Sequence, residues 1–233
     1  MVRKARSSPR REQLLSRDRI IEASIELLDS RGEGGLTFRG LSQRLATGPG
    51  AIYWHIANKS ELLTAACDAI VARTMASHAG RATPKATIRT LALGMFDAID
   101  AHPWVGSALI RAELQSPLLR IFERIGQQVR ALGVPDEKQW QSVSALLSYI
   151  LGVGGQNAAN GQLARSRGLD RSDFLRAMST VWSQLDPDEY PFTRSVARQL
   201  RDHDDRIDFL AGIDLILRGI ESLQTRRIPR AGR

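Results

Sequence analysis

The sequence predicts an all-α protein: an N-terminal three-helix helix-turn-helix domain followed by a larger helical bundle. Three observations carry that prediction. Apolar residues recur at three-and-four spacing along most of the chain, breaks fall near Pro84, Pro103, Pro117, Pro135 and Pro187, and no alternating strand pattern flanked by hairpin signals is present. With 233 residues, 42% of them hydrophobic, the chain is long enough to bury a sizeable core and to divide in two.

Residues 1–16 mix Ser7, Ser8 and Pro9 with Arg3, Lys4, Arg6, Arg10 and Arg11 and show no periodicity, which predicts a disordered basic arm. The first helix starts at Asp18, carries Ile20, Ile21, Ala23, Ile25, Leu27 and Leu28 on its inner face, and ends at Gly32, Gly34 and Gly35. Thr37 is placed to cap a short second helix, because its hydroxyl can accept from free backbone amides, and Leu41 with Leu45 supplies the inward stripe. That helix ends near Ala46. Gly48 then caps a brief third helix whose first position, Pro49, needs no intrahelical amide proton. Asn58 lies three residues before Glu61, close to a capping box, and opens a fourth helix through Leu62, Leu63, Ala66, Ile70 and Val71. Further helical patterns cover about 84–101, 104–114, 116–132, 136–165, 171–185, 192–201 and 205–224. The domain boundaries expected are 17–63 for the helix-turn-helix domain, 64–224 for the bundle and 225–233 for a tail.

Composition narrows the function classes. There are 33 Lys and Arg against 25 Asp and Glu, which favours a polyanionic partner. Cys67 is the only cysteine, so an intrachain disulfide and a cysteine-rich zinc site are both excluded and a reducing compartment fits. No apolar run approaches the roughly 20 residues of a membrane span, and the basic start lacks a long apolar stretch with a small-residue cleavage site. A cytoplasmic location is expected.

A capped helix, a turn at about Ala46 to Gly48 and a second short helix have the layout in which the second helix enters the DNA major groove. Gly50 and Ala51 leave its backbone free to approach closely, and the Ala51 methyl suits a thymine methyl. Tyr53 and His55 carry polar tips on stiff rings, within reach of phosphates or base edges. Ile52 and Ile56, four apart, are expected to face inward, and Trp54 either joins the aromatic contacts or packs partly against the domain. Lys59, at the start of the fourth helix, can meet a phosphate together with free helix amides.

Across residues 17–63 the sequence resembles the DNA-binding domain of the TetR family of bacterial transcriptional repressors, and "IYWH" followed by "NK" is similar to its tetracycline repressor branch. "FLAGIDLILRGIES", 209–222, resembles that branch's last dimerisation helix. The resemblance implies a homodimer whose recognition helices enter successive major grooves of a palindromic operator. It also implies that Thr37 meets a phosphate, Arg39 reads a guanine, Tyr53, Trp54 and His55 contact DNA, and Lys59 binds phosphate. The chain departs from the family pattern at Thr47 to Gly50, where Gly48, Pro49 and Gly50 replace larger polar side chains and shift readout toward Arg39, apolar contact and DNA shape.

The bundle holds most of the apolar mass. Met95, Phe96, Trp104, Phe122, Tyr149, Phe174, Met178 and Trp182 lie in stripes that suit either a plain core or the wall of a small-molecule pocket. His102, Glu113, Gln115, Gln156, Asn157 and Asn160 are the candidate polar groups of such a pocket. "LGVGGQNAANG", 151–161, lacks the preceding strand and the Lys-Ser/Thr of a phosphate loop, which leaves close helix approach or a helix opened beside a ligand. The histidines His55, His78, His102 and His203 show no metal-type spacing, and the glycine-rich segment has no glutamate of the kind that the tetracycline branch uses in sensing a drug–magnesium chelate. No metal and no cofactor are expected. No catalytic constellation is present, so the reading is not an enzyme but a ligand-responsive regulator, most simply a repressor released from its operator by a small molecule. The alternative is an architectural DNA binder with little sequence preference.

Overall fold

The computed structural model describes residues 15–76, 82–111 and 116–223, so most of the basic arm, the 225–233 tail, His78, Glu113 and Gln115 lie outside the described residues. These residues form eleven α-helices and one 3-10 helix, with no strand among them. The chain divides into two compact units, Met1–Ala66 and Cys67–Arg233.

The first unit is built on α1 (Arg17–Gly35), capped by Ser16, whose hydroxyl accepts from the Arg19 amide. Gly32 interrupts α1 with φ 64 and ψ −173, a conformation that disfavours any side chain, so the regular helix ends where the glycines predict. Ile20, Ile21, Ile25, Leu27 and Leu28 are buried. They pack on α2 (Phe38–Leu45), which buries Leu41 and Ser42, while Leu45, expected inside, is half-buried because the helix turns out of its α-helical path one residue later. α3 (Pro49–Tyr53) is a single turn, and α4 (Lys59–Ala76) contains the boundary between the units.

The second unit is arranged around α8 (Asp136–Ser166), against which α5 (Pro84–Ala101), α6 (Trp104–Arg111), α7 (Ser116–Ala131) and α11 (Asp205–Ser222) pack. α9 (Arg171–Ser183), α10 (Pro191–Val196) and the 3-10 helix Ala197–Asp202 form a side cluster. The single helix expected at 192–201 is therefore split, its second half tightened to 3-10 geometry around the fully buried Ala197. The centre of the core is an aromatic stack in which the Phe209 ring lies 4.6 Å from Phe96 and 5.5 Å from Tyr149. Tyr149 also donates to the Phe209 carbonyl at 3.3 Å and covers Gly212 so closely that a Cβ there would stand 1.9 Å from its hydroxyl oxygen.

The glycine-rich stretch runs inside α8 without a break. A Cβ on Gly154 would meet Ile99 at 3.1 Å, and one on Gly106 would lie 3.7 Å from the Gly155 Cα, so these small residues let α5 and α6 approach α8. Close helix approach accounts for the segment, and no phosphate loop exists there.

Candidate nucleic-acid interface

The turn between α2 and α3 is set by hydrogen bonds at both ends. Thr37 Oγ1 accepts from the Gly40 amide at 3.0 Å and begins α2. Its hydroxyl proton remains available to a second acceptor. At the other end Ala46 takes the left-handed conformation, φ 50 and ψ 46, the Ala46 amide donates to the Gln43 carbonyl, and the Thr47 amide donates to the Ser42 carbonyl at 3.0 Å. This pair of bonds is a Schellman ending, with alanine where glycine is usual. It reverses the chain within three residues and lets Gly48 and Pro49 start α3 at once.

α3 is held by one face. Ile52 and Ile56 are both buried, as their spacing predicts, and the Ile56 amide donates to the Ile52 carbonyl at 3.1 Å. The remaining residues point outward: Tyr53 is 53% exposed and Trp54 90%, and Pro49, Gly50 and His55 are exposed with Ala51 half-covered. Trp54 is thus not packed against the domain. The Tyr53 ring lies parallel to Phe38, with centroids 4.3 Å apart and an interplanar angle of 8°, so its direction is fixed by a residue of α2 that sequence reasoning did not single out. Nothing lies within 4 Å of a Cβ placed on Gly48 or Gly50. The fold does not demand glycine at either position, and their effect is to leave backbone bare on the outer surface. Arg39 is exposed at the second residue of α2.

Lys59 donates from Nζ to the Glu33 carbonyl at 2.7 Å, tying the start of α4 to the end of α1. An ammonium has three donors, so this bond leaves two for a phosphate oxygen. The same helix start is capped twice: Asn58 Oδ1 accepts from the Glu61 amide at 2.9 Å and Glu61 Oε2 accepts from the Ala57 amide at 2.8 Å. This is a capping box displaced by one residue. Arg17 pairs with Glu61, and Arg44 with Glu26.

In the second unit the predicted pocket residues are spread out. Met95, Phe96, Trp104 and Phe174 are buried, His102, Phe122, Tyr149, Asn157, Met178 and Trp182 half-buried, and Gln156 exposed. Phe96 and Asn157 line a cavity of about 440 Å³, whereas Phe122 lines a smaller one of about 220 Å³ beside Trp140. The larger cavity is strongly charged, with Asp97, Asp100, Arg165, Arg171, His203, Asp205 and Arg206 in its wall. Only Asn157 and Phe96 were legible as candidates there. Burial pushes the Asp205 carboxyl up, but its hydrogen bond and charge interaction with Arg171 and the nearby His203 outweigh burial and hold it below the ordinary value. Cys67 is buried, which with Asp68 nearby pushes its thiol up to about 12 and keeps it unreactive. No group of three or more histidine, cysteine or carboxylate side chains suited to a metal occurs among the described residues.

A capped helix, a left-handed turn and a short helix with an exposed outer face define a helix-turn-helix domain. Residues 20–66 match the model of the bacterial regulatory proteins of the tetR family, and 78–224 match the tetracyclin repressor-like C-terminal domain. The chain belongs to the TetR family of transcriptional regulators. It is similar to the transcriptional regulator SCO7222, a TetR from Streptomyces coelicolor, with 52% identity, a TM-score of 0.82 and coverage of 91% of this chain and 100% of that one. The tetracycline repressor protein class D of Escherichia coli is 29% identical over 219 residues, 89% of each chain. The transcriptional repressor DrrR1 of Streptomyces coeruleorubidus is 26% identical over 91% of this chain and 80% of its own length. No helix among the described residues is long and apolar enough to cross a membrane.

Proposed function

We propose that this protein is a ligand-responsive repressor that binds a palindromic operator as a homodimer and is released by a small molecule. The observation that carries the reading is Trp54, 90% exposed between exposed Tyr53 and His55 at the C-terminal end of α3, which buried Ile52 and Ile56 anchor from behind. Adjoining aromatics left in water on so short a helix are held for a partner, and the bare backbone at Gly48 and Gly50 suits close approach to a duplex. In this reading Thr37 and Lys59 grip phosphates, Arg39 reads a base edge, Pro49, Gly50 and Ala51 lie along the groove, and Tyr53, Trp54 and His55 contact bases and sugars.

Dimerisation is supported by a periodic exposed face. On α8, Ala145, Ser148, Gly152, Gln156 and Ala159 are exposed at three-and-four spacing, and on α11 so are Ile207, Ala211 and Leu215. Small and apolar residues on two packed helices suit a second copy of the same pair. Recognition helices of such a dimer must sit about 34–36 Å apart to enter successive major grooves. A ligand in the second unit that binds the DNA-free state more tightly than the DNA-bound state shifts that separation and releases the operator.

The test is selection of bound fragments from random duplex DNA at fixed salt concentration. Enrichment of a palindrome is expected; recovery of fragments with no shared sequence would replace this reading by the architectural one.

A further inference from the structure

A side chain that reads one base edge must be held in one place, and an exposed tyrosine has several staggered settings about its first side-chain bond and a broad second one. Tyr53 is 53% exposed, yet it is not loose: the Phe38 ring lies parallel to it, with centroids 4.3 Å apart and 8° between the planes. Cover over one whole face disfavours every setting that turns the Tyr53 ring off Phe38, and so fixes where its hydroxyl stands. Phe38 is itself seated on fixed backbone as the first residue of α2. Beside it Thr37 Oγ1 accepts from the Gly40 amide at 3.0 Å, and its own carbonyl accepts from the hydroxyl of buried Ser42 at 2.7 Å. At the far end of the pair the Ile52 carbonyl accepts from the His55 amide at 2.9 Å and from the Ile56 amide at 3.1 Å, which fixes the backbone around Tyr53.

The core of the first unit is supplied by other side chains. Leu36, Leu41, Ile52 and Ile56 are at most 1% exposed, whereas Phe38 is half-buried and Tyr53 stands mostly in water. The ring pair instead joins the start of α2 to the end of α3 on the outer side of the motif, and Phe38 sits between Thr37 and Arg39, both exposed. We propose that Phe38 is a specificity-determining positioning residue of the recognition surface, which holds the Tyr53 hydroxyl against one base pair of each half-site. The inference rests on the operator reading above and deepens it: part of the sequence read by α3 is set by a residue of α2 that acts through Tyr53.

The test measures base preference at every position of the selected operator, at fixed salt concentration, for the full-length parent and for Phe38→Leu, Phe38→Tyr, Tyr53→Phe and the double variant Phe38→Leu/Tyr53→Phe. Phe38→Leu keeps apolar bulk and removes the flat face, and Phe38→Tyr keeps the ring pair. Discrimination at one base pair of each half-site is expected to fall by about fivefold or more in Phe38→Leu and in Tyr53→Phe, the lower end of the range for a lost base contact. Phe38→Tyr is expected to keep the parent's preference, and the double variant to lose no more than either single one, because both changes remove the same contact. An unchanged profile in Phe38→Leu, a loss spread evenly over all positions, or additive losses in the double variant each overturns the positioning role, as does unfolding of Phe38→Leu, which would place the ring in the core. A parent that enriches no shared sequence overturns the operator reading and this role with it, whereas a palindrome read alike by parent and Phe38→Leu overturns this role alone.

Discussion

The segment from Thr37 to Lys59 and the charged cavity of the second unit are built in opposite ways. In the first, the side chains proposed to meet DNA fall within one short stretch of sequence, stand mostly in water and depend on a few buried neighbours, Ile52, Ile56 and Leu41. In the second, the groups come from α5, α8, α9 and α11, between Phe96 and Arg206, and Asp97, Asp100, Asn157, Arg171, His203, Asp205 and Arg206 are each positioned by an ion pair or hydrogen bond to another. A surface of the first kind separates function from stability, because its outward residues can change without disturbing what holds the helix. A cavity of the second kind ties them together, since removing Arg171 unseats Asp205 and His203 as well.

The strongest way to break this contrast is to attack the anchors rather than the surface. Ile52→Ala is expected to destabilise the first unit by about 2–5 kcal/mol, because Ile52 is fully buried and the one-turn helix α3 has few other apolar contacts to collapse into the space. Chemical denaturation that shows a loss below 1 kcal/mol would mean that α3 is fixed by its turn alone. In the bundle, Gly212→Ala is expected to cost about 1–3 kcal/mol by driving the Tyr149 ring off Phe209. The same change in a Tyr149→Ala background is expected to cost almost nothing, and additive losses would count against the clash.

The contrast also explains what could be read from the sequence. Apart from the split at 192–201, the helix order was legible because apolar spacing, capping residues and prolines are local signals: Thr37 caps α2 as its hydroxyl predicts. Burial of Ile52 and Ile56 followed from their spacing of four. The stacking of Tyr53 on Phe38 did not, since it joins two helices across a turn and leaves no periodic trace. The charged cavity was almost invisible for the same reason: Arg165, Arg171 and Arg206 carry no local signal in the sequence, and only the fold brings them to one wall. The aromatic and methionine stripe, by contrast, was visible but ambiguous, and Met95, Trp104 and Phe174 are buried residues that periodicity alone cannot assign to core or pocket.

On the recognition surface the expected effects fall on DNA and not on stability. His55→Ala is expected to weaken binding to the selected operator by about 1–3 kcal/mol, the range for a lost base contact, with an unchanged melting temperature. Tyr53 calls for Tyr53→Phe rather than Tyr53→Ala, since phenylalanine keeps the ring on Phe38 and removes only the hydroxyl. A fall in melting temperature in either variant would move these residues from surface to core. Lys59→Ala is expected to weaken binding to all sequences about equally and to lower the salt slope by roughly one unit. It also removes the bond to the Glu33 carbonyl, so a parallel denaturation curve separates the phosphate contact from the tie between α4 and α1.

The smallest change sharpens the contrast from the other side by stabilising the motif. Ala46 is the one non-glycine residue with positive φ among the described residues, and its Cβ crowds the following carbonyl oxygen in that conformation. Glycine removes the crowding but adds freedom to the unfolded chain, so the net gain for Ala46→Gly is expected to be about 1 kcal/mol or slightly less. If the turn only positions α3, the operator preferred by the variant stays the same and its affinity changes little. A changed preference with an unchanged fold would mean that the angle set at Ala46 is itself part of how the recognition helix meets the groove.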